Sequence, residues 1–416
     1  MDPTSEPATV ANAKPSPSIV TRWQLIKAYF FGSIFQALFS LLPLYRLTRW
    51  RYGFPPGIRA THLRIKLDPK AGHWHQRRLK LIILEPGLEN EEWAKRKGGP
   101  VPVLINAHGS GFVLPCHGTD VDLLALTADK LGICCIDADY RHAPAHPFPA
   151  PIDDIIEVVK WVQAQPDRFD VDRIVLSGFS AGGNIVMGAA AVLAREAELN
   201  ATTPDHNDGA ARSALSSVAN LPVLPHRGEG KFRFRRSTKD GEGGKKTDPT
   251  WPTPSPLAGL VLFYPPTDLS IPPYLRPPAP NPHVDVGIST SGPSRRLLDG
   301  CYLRTLSDQE DWRASPLRVA PHLWPAHVWI GCGDADPLYV QARAFVDKLN
   351  GTPEEDQSGD GDQRGKERGP HPDLVLYTAP RMAHAWEKMA KKGGLGWPER
   401  EEAYRQYVAA VGRSIV

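Results

Sequence analysis

The chain has 416 residues, of which 41% are hydrophobic and 23% charged, and its formal net charge is +3. That hydrophobic share supports a substantial core, and the length fits one large domain with insertions. So small a net charge excludes a globally basic nucleic-acid binder, and the charged content is that of an ordinary globular protein.

Residues 1–20 are rich in Pro, Ser, Thr and Ala and read as a disordered leader. The segment 21–60 follows, with an apolar stretch at Trp23–Tyr45. Between Lys27 and Arg46 lie 18 residues without a charge, among them Phe30, Phe31, Ile34, Phe35, Leu38 and Phe39. The apolar residues occupy most of a helix circumference, so the segment is expected to be buried in protein or lipid. It lies far from the N-terminus and has no small-residue cleavage site, unlike a secretory signal peptide. Two readings stand open: a helix of a substrate-covering cap, or a membrane anchor or interfacial helix. The anchor reading implies an intracellular membrane such as the endoplasmic reticulum.

From residue 61 to 416 the pattern alternates as in an α/β domain. Strands are expected at Leu79–Leu84, Val101–Ala107, Gly132–Ala138, Arg173–Ser177, Leu257–Tyr264, His327–Gly331 and Asp373–Tyr377. These runs are nearly continuously apolar, as parallel strands covered on both faces must be. Ile152, Ile155, Ile156, Val159 and Val162 share one helical face, as do Leu338, Ala342, Phe345 and Leu349, and Glu399–Val416 reads as a closing helix. Two low-complexity insertions, 201–256 and 351–371, are too polar to offset the entropy of ordering them. The first carries a basic cluster (Lys231, Arg233, Arg235, Arg236, Lys245, Lys246), read as a solvated loop rather than a nucleic-acid or membrane contact. The chain holds 42 prolines, which suggests long irregular connections around a compact core. The five cysteines (Cys116, Cys134, Cys135, Cys301, Cys332) have neither C-x-x-C nor zinc-site spacing. Cys134 and Cys135 read as small buried hydrophobes, and the odd, scattered count fits a reducing compartment.

The motif that carries chemistry is Gly178-Phe179-Ser180-Ala181-Gly182-Gly183-Asn184, between an expected strand and a helical stretch. A G-x-S-x-G there is a nucleophile elbow. The strand must turn sharply into a helix while the serine holds a strained backbone, so Gly178 and Gly182 must lack bulk. The hydroxyl is then presented beside a helix N-terminus, whose dipole favours developing negative charge. A second motif, His108-Gly109-Ser110-Gly111-Phe112, ends the strand Val101–Ala107, 72 residues before Ser180. Acyl transfer needs backbone N–H donors aimed at an oxyanion, and a glycine-rich loop after the third strand supplies them.

With these two motifs the chain resembles the hormone-sensitive-lipase-like branch of α/β hydrolases, the fold-3 esterases. The other matching stretches are Asp139–Ala150, Ala314-Ser315-Pro316-Leu317 and Gly333-Asp334-Ala335-Asp336-Pro337-Leu338, in the family's order over about residues 100 to 390. The resemblance implies an α/β-hydrolase fold: a mostly parallel central sheet with helices on both faces and a helical cap, here from about 20–60 and about 265–322. It implies oxyanion donors at the N–H groups of Ser110, Gly111 and Ala181. Besides the two low-complexity insertions, which are larger than a compact member would carry, two departures stand out. Ser110 occupies the second glycine position of the family's H-G-G-G, where a positive φ would strain it, and Ala145 stands where the family commonly has Glu.

The remaining triad members are expected in the order Ser, Asp, His. Asp336 is the expected acid, with Asp334 as the alternative that caps its loop instead. The expected base is His384, after the strand Asp373–Tyr377. Ser180 and Asp336 are 156 residues apart and Asp336 and His384 are 48 apart, with one insertion lying in each interval. The expected function is hydrolysis of short- to medium-chain acyl or acetyl esters through an acyl-enzyme, with a small-molecule ester as partner and no metal or organic cofactor. Two other functions use the same fold: a binding protein without catalysis, and an amidase or arylformamidase.

Overall fold

Eight strands form one sheet in the order β1-β2-β4-β3-β5-β6-β7-β8: β1 Ile58–Lys66, β2 Arg78–Pro86, β3 Val101–Ala107, β4 Cys134–Ala138, β5 Phe169–Phe179, β6 Gly259–Phe263, β7 His327–Gly333 and β8 Asp373–Ala379. β1 and β2 run antiparallel, β2 pairs antiparallel with β4, and all pairs from β4 through β8 are parallel. The computed structural model describes residues 57–66, 78–202, 255–288, 293–351 and 371–416, apart from 97 and 273, together with Pro55 and seven helical positions between 23 and 37.

The helices are α1 Glu91–Lys95, α2 Val121–Leu131, α3 Ala150–Gln163, α4 Ala181–Thr202, α5 Pro293–Tyr302, α6 Leu306–Glu310, α7 Tyr339–Leu349, α8 Trp386–Met389 and α9 Trp397–Ser414. Every residue of β3, β4 and β6 is buried, because helices cover both faces of the parallel region. Val103, Leu104 and Ile105 are fully buried, and each such side chain stabilises the fold by about 1.5–3 kcal/mol relative to exposure. On α3 the expected face packs inward through Ile152, Ile155, Ile156, Val159 and Val162. On α7 Ala342, Phe345 and Leu349 do the same.

Several boundaries differ from the sequence reading. The antiparallel edge strand β1 begins inside the segment 21–60 that was assigned to cap or anchor. Its alternating exposure, with only Ile65 fully buried, leaves no apolar run to detect. β5 starts four residues earlier than expected, through the half-buried Asp170 and Val171 and the exposed Asp172. At the described N-terminal positions Trp23, Ile26, Phe30, Phe31 and Ile34 are exposed, Trp23 by 72%, so of the two expected surroundings, protein or lipid, the protein does not cover these side chains. Among the described residues no helix is long and apolar enough to cross a membrane. The rest of Trp23–Tyr45, the leader 1–20, nearly all of the insertions 201–256 and 351–371, and the basic cluster lie outside the described residues. All five cysteines are buried and free, with Cys134 and Cys135 side by side in β4, and burial pushes the Cys116 thiol up to about 12.

The parallel strands all deliver their C-terminal ends to one edge of the sheet. β3 leads into His108, β5 into Ser180, β6 into Tyr264 and β7 into Asp334, and the loop after β8 carries His384. Open α/β sheets bind their ligands at this edge.

Candidate active site

Ser180 sits between the last residue of β5 and the first of α4, with φ 52°. That left-handed conformation is costly for a residue with a Cβ and is held by the packing around it. The Ser180 N–H donates to the Phe263 carbonyl at 2.9 Å, and the Ser180 carbonyl accepts the Asn184 N–H at 3.2 Å. Gly182 lets α4 approach β3: a Cβ there would lie 2.0 Å from the Ala107 carbonyl oxygen and 2.5 Å from that of His108. At Gly178 it would meet the Gly182 backbone at 2.6 Å. The atoms in the way are backbone and cannot swing aside. Gly182→Ala is therefore expected to destabilise the fold by about 2–3 kcal/mol and to displace the elbow, read as a lower urea midpoint together with lost activity.

His384 joins the serine to an acid. Its Nε2 is 2.8 Å from Ser180 Oγ and its Nδ1 is 2.7 Å from Asp336 Oδ2. All three residues are buried, Asp336 completely. The other oxygen of Asp336 accepts the Leu338 N–H at 2.9 Å, which fixes the carboxylate plane. Asp334 faces elsewhere. It accepts the Arg381 N–H at 2.5 Å and the Asn281 amide at 3.2 Å, so it ties two loops together. The histidine loop also packs on Gly333, where a Cβ would come within 1.9 Å of the Met382 carbonyl oxygen. From the other side residues 285–288 brace it: Ala383 N–H donates to Val286 at 2.8 Å, and Ile288 N–H donates to His384 at 2.8 Å.

The loop after β3 lies against the elbow. A Cβ at Gly109 would sit 3.2 Å from the Phe179 carbonyl oxygen and 3.6 Å from the Ser180 Cβ. The strain expected at Ser110 falls on its neighbours instead, Gly111 with φ 56° and Phe112 with φ 67°. Ser110 keeps an ordinary backbone, and its hydroxyl accepts the Phe112 N–H at 2.9 Å and contacts the Tyr140 hydroxyl at 2.7 Å. Tyr140 in turn donates to the His108 carbonyl at 2.6 Å. Serine thus serves at this glycine position by adding a side-chain staple to the turn. Leu298 of α5 covers Gly111, with its Cδ1 2.9 Å from where a Cβ would stand. Ala145, at the other departure from the family pattern, is exposed.

Several supporting groups were not found from sequence. Tyr264, with φ 38°, lays its ring against His384 at 4.5 Å between centroids and donates its hydroxyl to Glu387. Burial, reinforced by the charge of Glu387, pushes the Tyr264 phenol well above its ordinary value, and burial likewise raises the Glu387 carboxyl. Lys388 pairs with the buried Asp120 and lies over the Phe179 ring at 4.4 Å. Asn184 donates to the Pro266 and Ala314 carbonyls, both at 2.8 Å, and so pins the connection between β6 and β7 to α4. Asn184 belongs to the elbow motif, but the motif itself does not indicate this role. For the others no local pattern marks a partner more than a hundred positions away.

The topology defines the fold of the chain, that of the α/β hydrolases. The family described as alpha/beta hydrolase fold matches residues 104–227. A versiconal hemiacetal acetate esterase from Dothistroma septosporum is 26% identical over 149 residues, 35% of this chain and 44% of that enzyme. A tuliposide A-converting enzyme from Tulipa gesneriana is 36% identical over 97 residues, 20% of this chain and 26% of its own length. Esterase LipI from Mycobacterium tuberculosis is 39% identical over 101 residues, 23% of this chain and 29% of its own. The chain thus spans less than half the length of these curated relatives. Among solved structures the carboxylesterase EstE1 from a metagenomic library has a TM-score of 0.57 at 17% identity, covering 92% of this chain and 98% of that one. A Pyrobaculum calidifontis esterase has a TM-score of 0.56 at 17% identity, over 95% and 98% of the two chains.

Proposed function

We propose that this chain is a carboxylic-ester hydrolase working through an acyl-serine intermediate, with Ser180 as nucleophile, His384 as general base and acid, and Asp336 as the group that orients the imidazole. The observation that carries this reading is the unbroken hydrogen-bonded line Asp336–His384–Ser180, ending on a serine of positive φ at the head of α4. His384 Nε2 takes the Ser180 proton as Oγ bonds to the ester carbonyl carbon. The resulting imidazolium is stabilised by Asp336 and gives its proton to the departing alcohol as the carbon–oxygen bond breaks. Water then attacks the acyl-serine, deprotonated by the same nitrogen, and the carboxylic acid leaves with Ser180 restored.

The negative charge of each tetrahedral intermediate falls to the N–H groups of Ser110, Gly111 and Ala181. Ala181 opens α4, so its N–H has no intrahelical partner and lies at the positive end of the helix dipole. One such donor is worth about 3–4 kcal/mol of transition-state stabilisation. The insertion between β6 and β7, through Leu298 over Gly111, is the part of the cap that limits the acyl group.

The substrate is a small-molecule ester with a short acyl chain. An acetate esterase among the relatives supports this preference, as does the close cover over Gly111. A p-nitrophenyl ester series on the purified protein tests it, with kcat/KM expected to be highest for acetyl or butyryl and to fall steeply towards palmitoyl. A maximum at long chains overturns the short-acyl assignment. Faster turnover of an aryl formamide than of the acetyl ester replaces the ester reading with an amidase on the same residues.

A further inference from the structure

Next to the elbow, at the ends of the adjacent strands β3 and β4, stands a second group of side chains that ester hydrolysis does not use. His108 follows β3, and Asp139 and His142 follow β4, within the stretch Asp139–Ala150 that the sequence singled out without assigning it chemistry. One ligand atom from each of these three residues lies within 4.8 Å of the other two. His108 is fully buried, and the Nε2 atoms of both His108 and His142 are buried without a hydrogen-bond partner. His108 Nε2 lies 3.6 Å from Asp139 Oδ1, too far for a hydrogen bond, while its Nδ1 is 3.3 Å from the Gly109 carbonyl. If Nδ1 carries the proton and points it at that carbonyl, Nε2 presents a lone pair to the carboxylate. Two buried imidazole nitrogens without a hydrogen-bond partner then lie beside a carboxylate that Lys80 pairs with from the solvent side.

We propose that His108, Asp139 and His142 form a binding site for a divalent cation of the zinc class, outside the Ser180 site. Two imidazoles and a carboxylate are a ligand set that such ions accept with a water in the fourth position. An equilateral triangle of 4.8 Å edge has its centre about 2.8 Å from each corner, so ligand shifts of less than about 1 Å reach zinc bond lengths near 2.1 Å. The groups that would hold the carboxylate in place are already present. Asp139 Oδ1 accepts the Tyr140 N–H at 3.1 Å, and its Oδ2 pairs with Lys80 at 3.2 Å on the solvent side. The Asp139 side chain is 15% exposed, which gives the ion an entry path and the fourth ligand its water. His117, whose ring centroid lies 6.1 Å from that of His108, is engaged with Asp137 and stands outside the set. An ion here ties the root of the Ser110–Gly111 loop to the end of β4, so it binds the folded chain and stabilises it.

The inference does not depend on the hydrolase reading, and its test keeps the two apart. Chelator-stripped full-length protein is titrated with Zn2+ by calorimetry and with Co2+ by visible absorption, and melting temperature is followed with and without Zn2+. The expected result is one tight equivalent per chain, the intense absorption of low-coordinate Co2+, and a melting temperature that rises with Zn2+. In both His142→Leu and Asp139→Asn the affinity should fall at least about 100-fold and the metal-dependent shift should vanish. Ser180→Ala and His384→Ala should bind as wild type does. Either ligand variant suffices if the other does not fold. No tight equivalent in the wild type overturns the site, as does undiminished binding in a folded ligand variant. Loss of binding in His384→Ala, with retention in His142→Leu, moves the ion to the triad and overturns it equally.

Discussion

Replacing Ser180 by Ala is expected to lower kcat for an activated ester by about 10^4- to 10^6-fold with the fold intact, and His384→Ala should do the same. This corresponds to about 5–8 kcal/mol of lost transition-state stabilisation. The hydroxyl is buried, has no hydrogen bond other than that with His384 among the described residues, and fills little volume, so its removal leaves packing and melting temperature nearly unchanged. His384 is braced through its backbone by Ile288, so truncating the ring does not release its loop. Because the two side chains act as one unit, the double variant is expected to be no slower than either single one. Additive losses would mean that they do not share a proton.

The second large effect separates two aspartates that lie two positions apart. Asp336→Asn is expected to cost about 10^4-fold in kcat, because an amide facing His384 Nδ1 favours the tautomer that puts the proton on Nε2 and cannot stabilise the imidazolium. Asp334→Asn should change kcat by less than about tenfold and cost about 1 kcal/mol of stability. It weakens only the bonds to the Arg381 N–H and the Asn281 amide. Steady-state kinetics of both variants on one acetyl ester, with melting curves as the fold control, give the comparison. A larger catalytic loss at Asp334 would reverse the two assignments.

For this pair the sequence favoured Asp336 and kept Asp334 as the alternative, because spacing alone does not separate them. Asp334 and Asp336 stand in the same loop with the same turn chemistry, and only the direction in which β7 releases the chain turns one towards His384. The elbow was legible for the opposite reason: Gly182 has no room for a Cβ, so its glycine is dictated by a contact of 2.0 Å and the pattern survives in the sequence. Fully buried strands such as β3 and β4 were legible as apolar runs. β1 was not, since an edge strand half in solvent alternates too weakly to stand out. The concern over Ser110 failed on geometry, the left-handed residues being Gly111 and Phe112, one and two positions later. The Tyr264–Glu387 and Lys388–Asp120 contacts behind the histidine join residues 123 and 268 positions apart. They follow from the sheet order that brings the strand ends together, and no spacing in the chain encodes them.

The central claim is that His384 can deprotonate Ser180 within reach of amides that hold the resulting charge. Incubation of the native protein with a fluorophosphonate, followed by peptide mass spectrometry, tests it most directly, since such reagents phosphonylate only a serine that is activated in this way. The predicted result is a single covalent adduct on the peptide containing Ser180, absent in Ser180→Ala and strongly slowed in His384→Ala. A folded wild-type protein that remains unlabelled, or an adduct on another residue, would contradict it.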